Sequence, residues 1–586
     1  MIMRSAQHHM AFIIAGIMAA LFINGNTLAQ AYRSPVIMHD GYNEKYAVLT
    51  DRNIYVAGEE LCFSVFNLSD RHVRKAGWSK IFYIELVQPD GAMVAGVKIP
   101  LLEDEAAGFL QIPDNIPTGY YLLRSYTRWM RNFSPRDYAY NRIKIVNPYI
   151  QEVNIPAAGN SESSTVLTPN DSTNVLMMPI GCKTDKAVYN SREKVMVSID
   201  IPPFIKNISD SYCISVARCG AVDPNGSGVV KMNEASDDEH YLMQFIPETK
   251  GLSVSGKVLN NNGETVRNTF VQLSMLRENG DYLGYYTDLD GKFYFSLLPF
   301  TGRQDMFISA HNVTGDRLEI RIDKDFANHN GAISTEAFTL SDNERSLAVE
   351  MMINSQVKKA YAKNRDTAVT RDEQDSTGLY FYGQPCRTVY IDDFIALPTL
   401  GEVFFELVPE VSVTKRKGVN TVVVSGHPRV SADLASYNPL ILLDLVPISN
   451  LDDLLAVPPR KLQRIEIINN LYIKGDIIYG GVVSIFSKKG DLAGINLPLN
   501  SSFFVIEGLS SQQTSAVESF ADNQNESRIP DFRNCLYWNP KITIRPGNKA
   551  SLEFTTSDNK GDYEFIIRGF SSDGVLMEKR CRFGVR

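Results

Sequence analysis

Cysteine is scarce in these 586 residues: seven in all, at 62, 182, 213, 219, 386, 535 and 581, with no C-x-x-C pair. That spacing excludes a zinc ribbon or a thioredoxin-type motif, and the density is too low for a small fold held by disulfides. Cys213–Cys219 and Cys535–Cys581 are the pairs a disulfide reading would choose; buried thiols in strands are the plainer alternative. Histidine is nearly as rare. Of eight, six lie beyond the N-terminal apolar stretch (39, 72, 240, 311, 329 and 427), with neither H-E-x-x-H nor any close pair, which argues against a metal hydrolase. His427 follows Ser425 by two residues, but neighbours two apart share a face of any strand, so the proximity carries no catalysis. G-x-S-x-G and G-x-x-x-x-G-K-[ST] are both absent. "TDLDGK" would be half of a calcium loop, but the positions needing acids hold Tyr286 and Leu297. Strong charge is missing too. A net of −8 on so long a chain argues against a general nucleic-acid or anionic-membrane binder. After the N-terminus no apolar run is long enough to cross a bilayer as a helix.

What is present begins with Arg4, an uncharged apolar stretch from Met10 to Ile23, and Ala29-Gln30-Ala31. This is the layout of a cleaved secretory signal over 1–31, without a lipobox cysteine. The length then predicts about four domains. Most segments read as short strands: "ELCFSVFNL", "KIFYIELVQP", "GYYLLRSYT" and "NRIKIVNPYI" mix β-branched and aromatic residues with alternating polarity, bounded by turn formers. A Ser/Thr/Asn-rich linker starts at Ala157, and an acidic loop, "NEASDDEH", lies near 235. One helix is clear. Ser341 and Glu344 form a capping box, and Val349, Ile353, Val357 and Tyr361 fall on one face as its expected buried stripe. A polar linker follows it.

One phrase occurs twice. "TDRNIYVAGEELCFSV" from Thr50 and "TDKAVYNSREKVMVSI" from Thr184 share Thr-Asp, a Tyr four residues on, a Glu four further and a Ser five beyond. Both resemble the opening of alpha-2-macroglobulin-type domains, T-D-[KR]-x-x-Y-x-P-G-E. Here Ala57-Gly58 and Ser191-Arg192 replace Pro-Gly. The tail from "LYWNPKITIRPG" resembles a later segment of that family; its thioester Cys-Gly-Glu-Gln run is absent. "SVSGKV" and "TDLDGKFYF" resemble the carboxypeptidase regulatory-like β-sandwich. "PLILLDLVPISNLDDLLAVPPRKLQRIEIINNLYIKGDIIYGGVVSIFSKKG" resembles the plug of TonB-dependent receptors, matching at Asp444, Val446-Pro447, Arg464-Ile465-Glu466, Tyr479 to Val482 and Lys488-Lys489, with Leu445 where plugs carry Gly. The residues after Gly490 are too few for a transporter's barrel.

The fold expected is mainly β: tandem immunoglobulin-like or macroglobulin-like β-sandwiches with one α/β plug-like domain. The divisions are 1–31 signal peptide, 32–155 and 175–247 macroglobulin-like, 248–340 carboxypeptidase regulatory-like, 341–380 helix and linker, 381–498 plug-like, and 499–586 a C-terminal macroglobulin-like unit. Asp51, Tyr55, Asp185, Tyr189 and Trp538 are read as structural positions, as are Asp444, Arg464, Glu466 and Gly480-Gly481. No residue is read as catalytic, cofactor-binding or metal-ligating, and no cofactor is expected. The resemblances imply an exported, non-enzymatic protein of the periplasm, outer membrane or cell surface, working in protein binding or scaffolding. Its partners would be envelope proteins, an outer-membrane barrel or a TonB-type protein among them; no nucleic acid and no transmembrane helix in the mature chain are expected. The alternatives are an accessory to TonB-dependent transport and a thioester-less protease-binding protein with 362–378 as bait.

Overall fold

The structure, a computed structural model, describes residues 43–70, 78–102, 105–154, 168–170, 175–203, 208–223, 228–233, 244–311, 315–327, 337–362, 379–416, 418–426, 434–475, 477–497, 499–510, 530–543, 547 and 549–586. The signal peptide, the linker from 157 except Thr168–Asn170, which forms a short strand, the acidic loop near 235 beyond Asn233, His427 and the polar stretch 363–378 lie outside them. The chain is mainly β, with tandem sandwiches and one α/β unit. No helix among the described residues is long and apolar enough to cross a membrane.

The first sandwich sets the pattern. Strands Tyr46–Thr50, Glu60–Asn67 and Ala106–Gln111 form one sheet. Met93–Pro100, Ile81–Val87, Gly119–Tyr126 and Ala139–Val146 form the other, in that spatial order, and Val229–Asn233 and then Thr168–Asn170 extend it beyond Ala139–Val146. The short strand Ile54–Val56 pairs in parallel with the last strand, Ala139–Val146. Ile81–Val87 is buried at every position because strands flank it on both sides and a sheet faces it.

The second sandwich repeats this order strand for strand. Gly181–Thr184, Lys194–Asp200 and Lys549–Thr555 make the small sheet. Cys535–Thr543, Ile208–Arg218, Gly561–Ser571 and Leu576–Val585 make the large one. Val188–Tyr189 again pairs in parallel with the last strand. Lys194–Asp200 alternates strictly between exposed and buried, as the period of two demands for a sheet wet on one face. Its Val195, Val197 and Ile199 share a core with Tyr212 and Ile214 of the same half and with Phe565, Ile567 and Phe583 from the far end of the chain. The expected separate units at 175–247 and 499–586 therefore share one sandwich, through 181–218 and 535–585, while Val229–Asn233 pairs instead with Ala139–Val146 of the first. Neither half holds a complete pair of sheets, so neither can bury its apolar faces alone.

The residues between the halves contain a third sandwich. Lys292–Ser296, Ser253–Leu259 and Glu319–Ile322 face Tyr282–Tyr286, Phe270–Met275, Arg303–His311 and Ser501–Glu507. Its closing strand also comes from late in the chain. Ser501–Glu507 belongs here rather than with the C-terminal unit, because its register runs from Arg303↔Glu507 to Ser309↔Ser501. The turn at Asp288 joins strands of opposite sheets rather than a hairpin; its carboxylate accepts the Asp290 and Lys292 N–H groups at 2.9 and 2.8 Å.

Nested inside the third sandwich is the α/β unit. Its sheet runs Arg387–Tyr390, Leu462–Ile468, Val482–Ser487, Leu440–Leu443, Val446–Pro447, with helices Leu400–Leu407 and Leu451–Leu455. Leu440–Leu443 lies parallel to Val482–Ser487, and the other pairs are antiparallel.

The helix Asp342–Ala362 starts at the capping box, with the Glu344 N–H donating to Ser341 Oγ at 3.3 Å and the Ser341 N–H to Glu344 Oε2 at 2.9 Å. Its buried face is not the expected stripe. Leu347, Ala348, Met351 and Asn354 pack inward, whereas Val349, Ile353 and Tyr361 are about half exposed. Ion pairs run along its flanks: Glu344 with Lys144, Lys359 with Asp114, and Glu350 with Arg218. The first two tie the helix to the first sandwich and the third to the second.

Candidate functional site

The repeated phrase builds the same clasp twice. In the first copy the Tyr55 hydroxyl donates to Asp51 Oδ1 at 2.7 Å, and the same oxygen accepts the Cys62 N–H at 3.0 Å. The Arg52 N–H donates to the Tyr55 oxygen, and the Val56 N–H to Glu59 Oε2. In the second copy Tyr189 donates to Asp185 Oδ1 at 2.6 Å, which accepts the Met196 N–H at 2.8 Å. The Lys186 and Asn190 N–H groups then reach the Tyr189 oxygen and Glu193 Oε2. Each shared residue thus satisfies backbone donors that two closely spaced strand ends would otherwise leave orphaned. Burial pushes the Tyr189 hydroxyl up to about 12. The bend needs a left-handed residue, supplied by Gly58 at φ +88° and by Arg192 at φ +57°. Arg192 is held there by two hydrogen bonds to Asp558, of 2.7 and 2.6 Å.

A second repeat is visible only with the structure. The hydroxyl of Tyr121 donates to the Pro117 carbonyl at 2.7 Å, and that of Tyr563 to the Asn559 carbonyl at 3.1 Å. Both are tyrosine corners, four residues back on the chain, as in other Greek-key sandwiches. Gly119-Tyr120-Tyr121 and Gly561-Asp562-Tyr563 are the faint sequence signal that would have paired these strands.

Trp538 is buried in the seam between the first two sandwiches with Leu49, Cys62, Cys213, Cys535 and Phe570. Arg568, fully buried, donates to the Thr50 carbonyl across that seam at 2.6 Å. The first and third sandwiches meet over buried polar groups. The Tyr83 hydroxyl sits 3.0 Å from both Glu248 oxygens, Lys98 pairs with Asp325 at 2.5 Å, and Arg124 links Glu85 to the Ala327 carbonyl. A small cleft at this seam is lined by Arg128, Ser253, Ser255, Asp323 and Asp325. Arg128 donates to Ser255 Oγ and the Ser253 carbonyl, so the cleft's charge is committed to joining the units.

The α/β unit is anchored through one edge. Ser274 Oγ donates to the Leu445 carbonyl at 2.7 Å, Tyr282 and Tyr479 share a hydrogen bond, and Lys474 pairs with Asp281. Leu445, where the resembling pattern has Gly, takes φ +66° beside Asp444 at φ +49°. It is buried against Tyr282, Tyr382 and Phe486, so the side chain supplies an anchor that glycine lacks. Asp444 accepts from the Ser487 N–H and hydroxyl at 2.7 Å and from the Leu492 N–H at 2.8 Å. Arg464 lies 3.8 Å over the Phe486 ring and donates to Glu466, which accepts from Tyr382. A Cβ at Gly480 would stand 2.2 Å from the Tyr437 carbonyl oxygen, which requires glycine there. All these residues position backbone.

No group of His, Cys, Asp and Glu able to hold a metal occurs among the described residues. His311 Nε2 faces Gln272 and Ser309, and burial lowers its pKa. The structure joins none of the seven cysteines in a disulfide. Cys213 and Cys219 stand at and just beyond one strand, six residues apart along it; Cys535 and Cys581 are separated by two intervening strands. Neither pair meets the Cα separation a disulfide needs. Among its charged surface residues the α/β unit also exposes large apolar side chains: Ile395 is 90% and Phe405 81% exposed, with Phe394 and Val419 also exposed.

No family model matches the chain, and no curated protein does. Among solved structures, trypsin-activated alpha-2-macroglobulin from Escherichia coli aligns at 9% identity, over 94% of this chain and 42% of that one, with a TM-score of 0.22. Salmonella alpha-2-macroglobulin reacted with methylamine aligns at 10% identity, over 93% and 40%, also at 0.22. Dimeric latent PorU from Porphyromonas gingivalis aligns at 8% identity over 50% and 34%, at 0.15. The chain spans about two fifths of the length of the macroglobulins it aligns with. Superpositions this loose carry no argument about fold or activity.

Proposed function

We propose that this is an exported, non-enzymatic scaffold of the cell envelope that holds its α/β unit out to another envelope protein. The observation that carries the reading is the asymmetry of that unit. One edge is fixed to the third sandwich through Leu445, Lys474 and Tyr479. Elsewhere it exposes Phe394, Ile395, Phe405 and Val419, large apolar groups that a monomer gains nothing by leaving in water. Nested insertion suits such a role. Each inserted unit is held at both ends, so the α/β unit is displayed at a defined place rather than on a tether.

The test is a crosslinking pull-down from the cell envelope with the full chain and with I395D/F405D, substitutions at exposed positions that leave the core untouched. The reading expects a defined partner recovered by the parent and lost by the variant. Recovery of an outer-membrane barrel or a TonB-type protein would specify transport accessory work. Equal recovery by both chains, or none above control, would overturn the proposal that this face binds.

A further inference from the structure

Strand Leu576–Val585 is pinned to the segment before and after Cys182 at two points. Near its start, Met177 is in register with Glu578, and the Met178 N–H donates to the Glu578 carbonyl at 2.8 Å. Near its end, Val188 is in register with Gly584, and the Gly584 N–H donates to the Ala187 carbonyl at 2.9 Å. Cys581 lies midway between these pins on one side and Cys182 near the middle on the other. The two thiols meet: Cys182 S–H and the Thr184 N–H both point to Cys581 Sγ. Both side chains pack at the margin of the second sandwich's core, half-buried. The other five lie elsewhere: Cys62, Cys213 and Cys535 in the seam between sandwiches, Cys219 just past the end of Ile208–Arg218, and Cys386 exposed on the α/β unit.

We propose that Cys182 and Cys581 are a disulfide-forming pair that locks the first strand of the second sandwich to the last, closing it around its nested insertion. The Cys182 S–H and the Thr184 N–H both lower the Cys581 thiol; the second contact is made to Cys581 and not to Cys182, so the thiolate is favoured there and Cys581 attacks first. Its thiolate attacks one sulfur of an oxidising disulfide, forming a mixed disulfide and expelling one thiolate. Cys182 then loses its proton and attacks the Cys581 sulfur, expelling the second thiolate. The chain loses two electrons and two protons, and the oxidant becomes two thiols. Oxidation requires little movement, because the two pins hold Gly181–Thr184 alongside the strand that carries Cys581.

The experiment uses the full chain carrying Cys386→Ser, which removes the exposed thiol and so prevents links between molecules. Reduced protein is incubated with glutathione disulfide at pH 7.5, quenched with N-ethylmaleimide in denaturant, and mapped by mass spectrometry. Two thiols should disappear, a peptide joining Cys182 to Cys581 should appear, and the oxidised protein should melt at a higher temperature than the reduced. Adding Cys182→Ser should leave a single glutathione adduct on Cys581. Should that variant fold poorly, Cys581→Ser gives the reciprocal reading: no cross-link, and Cys182 fully alkylated. If both cysteines are alkylated after oxidation of the parent, or either is found linked elsewhere, the proposal is wrong.

Discussion

If the second sandwich is one domain in two pieces, it should fold without what lies between them. The first sandwich shows how short the connection can be: the equivalent strands Ile81–Val87 and Met93–Pro100 are joined by Gln88–Ala92, with the Gln88 N–H donating to the Ala92 carbonyl. In the second sandwich Ala217 is in register with Cys535, so the chain leaves and returns at neighbouring positions after about 320 residues. Replacing 218–534 by the sequence of 88–92, and starting at 175, gives a chain of about 100 residues, ample for one core. Shortening the loop from about 320 residues to five is six halvings, each worth about 0.6 kcal/mol, so closure of the sandwich becomes easier by at most about 4 kcal/mol. The gain is a ceiling because the folded insertion brings its own ends together. Against it stands the seam around Trp538 and Phe570, which loses its cover. Urea unfolding followed by circular dichroism and Trp538 fluorescence should give one cooperative transition. Residues 175–247 alone and 499–586 alone should give none, and the two fragments mixed should regain it. A cooperative transition in either fragment alone, or an unstructured joined chain, would refute the shared sandwich.

The clasp predicts that Tyr55→Phe, which removes a fully buried hydroxyl, costs about 1–3 kcal/mol and accelerates amide exchange at Cys62, while Tyr189→Phe does the same at Met196 with a smaller effect. At the left-handed positions, Arg192→Gly relieves about 1 kcal/mol of backbone strain but loses a partly exposed ion pair, so its melting temperature should stay close to the parent's. Gly58→Ala should lower it, because φ +88° is a conformation that residues with a Cβ rarely adopt, and the Cβ would also push aside the Asp114 carboxylate that pairs with Lys359. Leu445→Gly relieves similar strain yet loses a buried side chain worth about 2–4 kcal/mol, so differential scanning calorimetry should show the α/β unit melting earlier. Burial raises the Glu248 carboxyl above the ordinary glutamate range, so the folded chain keeps that proton longer than the unfolded one. Its stabilising share is full below the ordinary value and declines as pH rises through the raised one; Glu248→Gln should flatten that part of the stability profile.

Much of the architecture was legible in the chain because its signals are local. The Thr-Asp…Tyr…Glu phrase encodes a clasp closed within a dozen residues, and Ser341 with Glu344 encodes a cap three residues long; both appear where the pattern puts them. What failed was every statement that needed a partner distant in sequence. Ser501–Glu507 reads as a strand, but nothing in its residues says that it pairs with Arg303–His311 rather than with the tail beyond it. The helical stripe at Val349, Ile353 and Tyr361 is equally apolar whether it faces water or core. Leu347, Ala348 and Met351 took the core because Ile54, Val56, Ala217 and Ala221 offer them an apolar surface, with the pairs to Lys144, Asp114 and Arg218 along the flanks. The cysteine pairs failed for the same reason, since spacing along a strand says little about which strand lies opposite. The departure at Leu445 from the resembling pattern was readable as a departure, but its meaning as an anchor required the third sandwich beside it.

The place of the insertion is itself informative. A loop at the end of a sandwich is where additional sequence does least harm, since it breaks no ladder and buries no orphaned backbone. The connection at Gln88–Ala92 was left short in the first copy, and the matching one in the second admits the whole third sandwich and the α/β unit. The inserted part does not hang from that point. It returns to the first copy through Tyr83–Glu248, Lys98–Asp325 and Arg124–Ala327, and the helix at 342–362 bridges both copies. Each of these contacts resists rotation about the two covalent connections, and in one, Lys98–Asp325, the lysine is buried, so its loss leaves a charge without a partner. Severing them should loosen the α/β unit while leaving both clasps intact. Arg124→Leu, which strands the buried Glu85 carboxyl and frees the Ala327 carbonyl, is the sharpest such cut. Hydrogen exchange should then rise along 315–327 and stay unchanged at Met196; exchange spreading instead through the second sandwich would mean that the insertion is held by its ends alone.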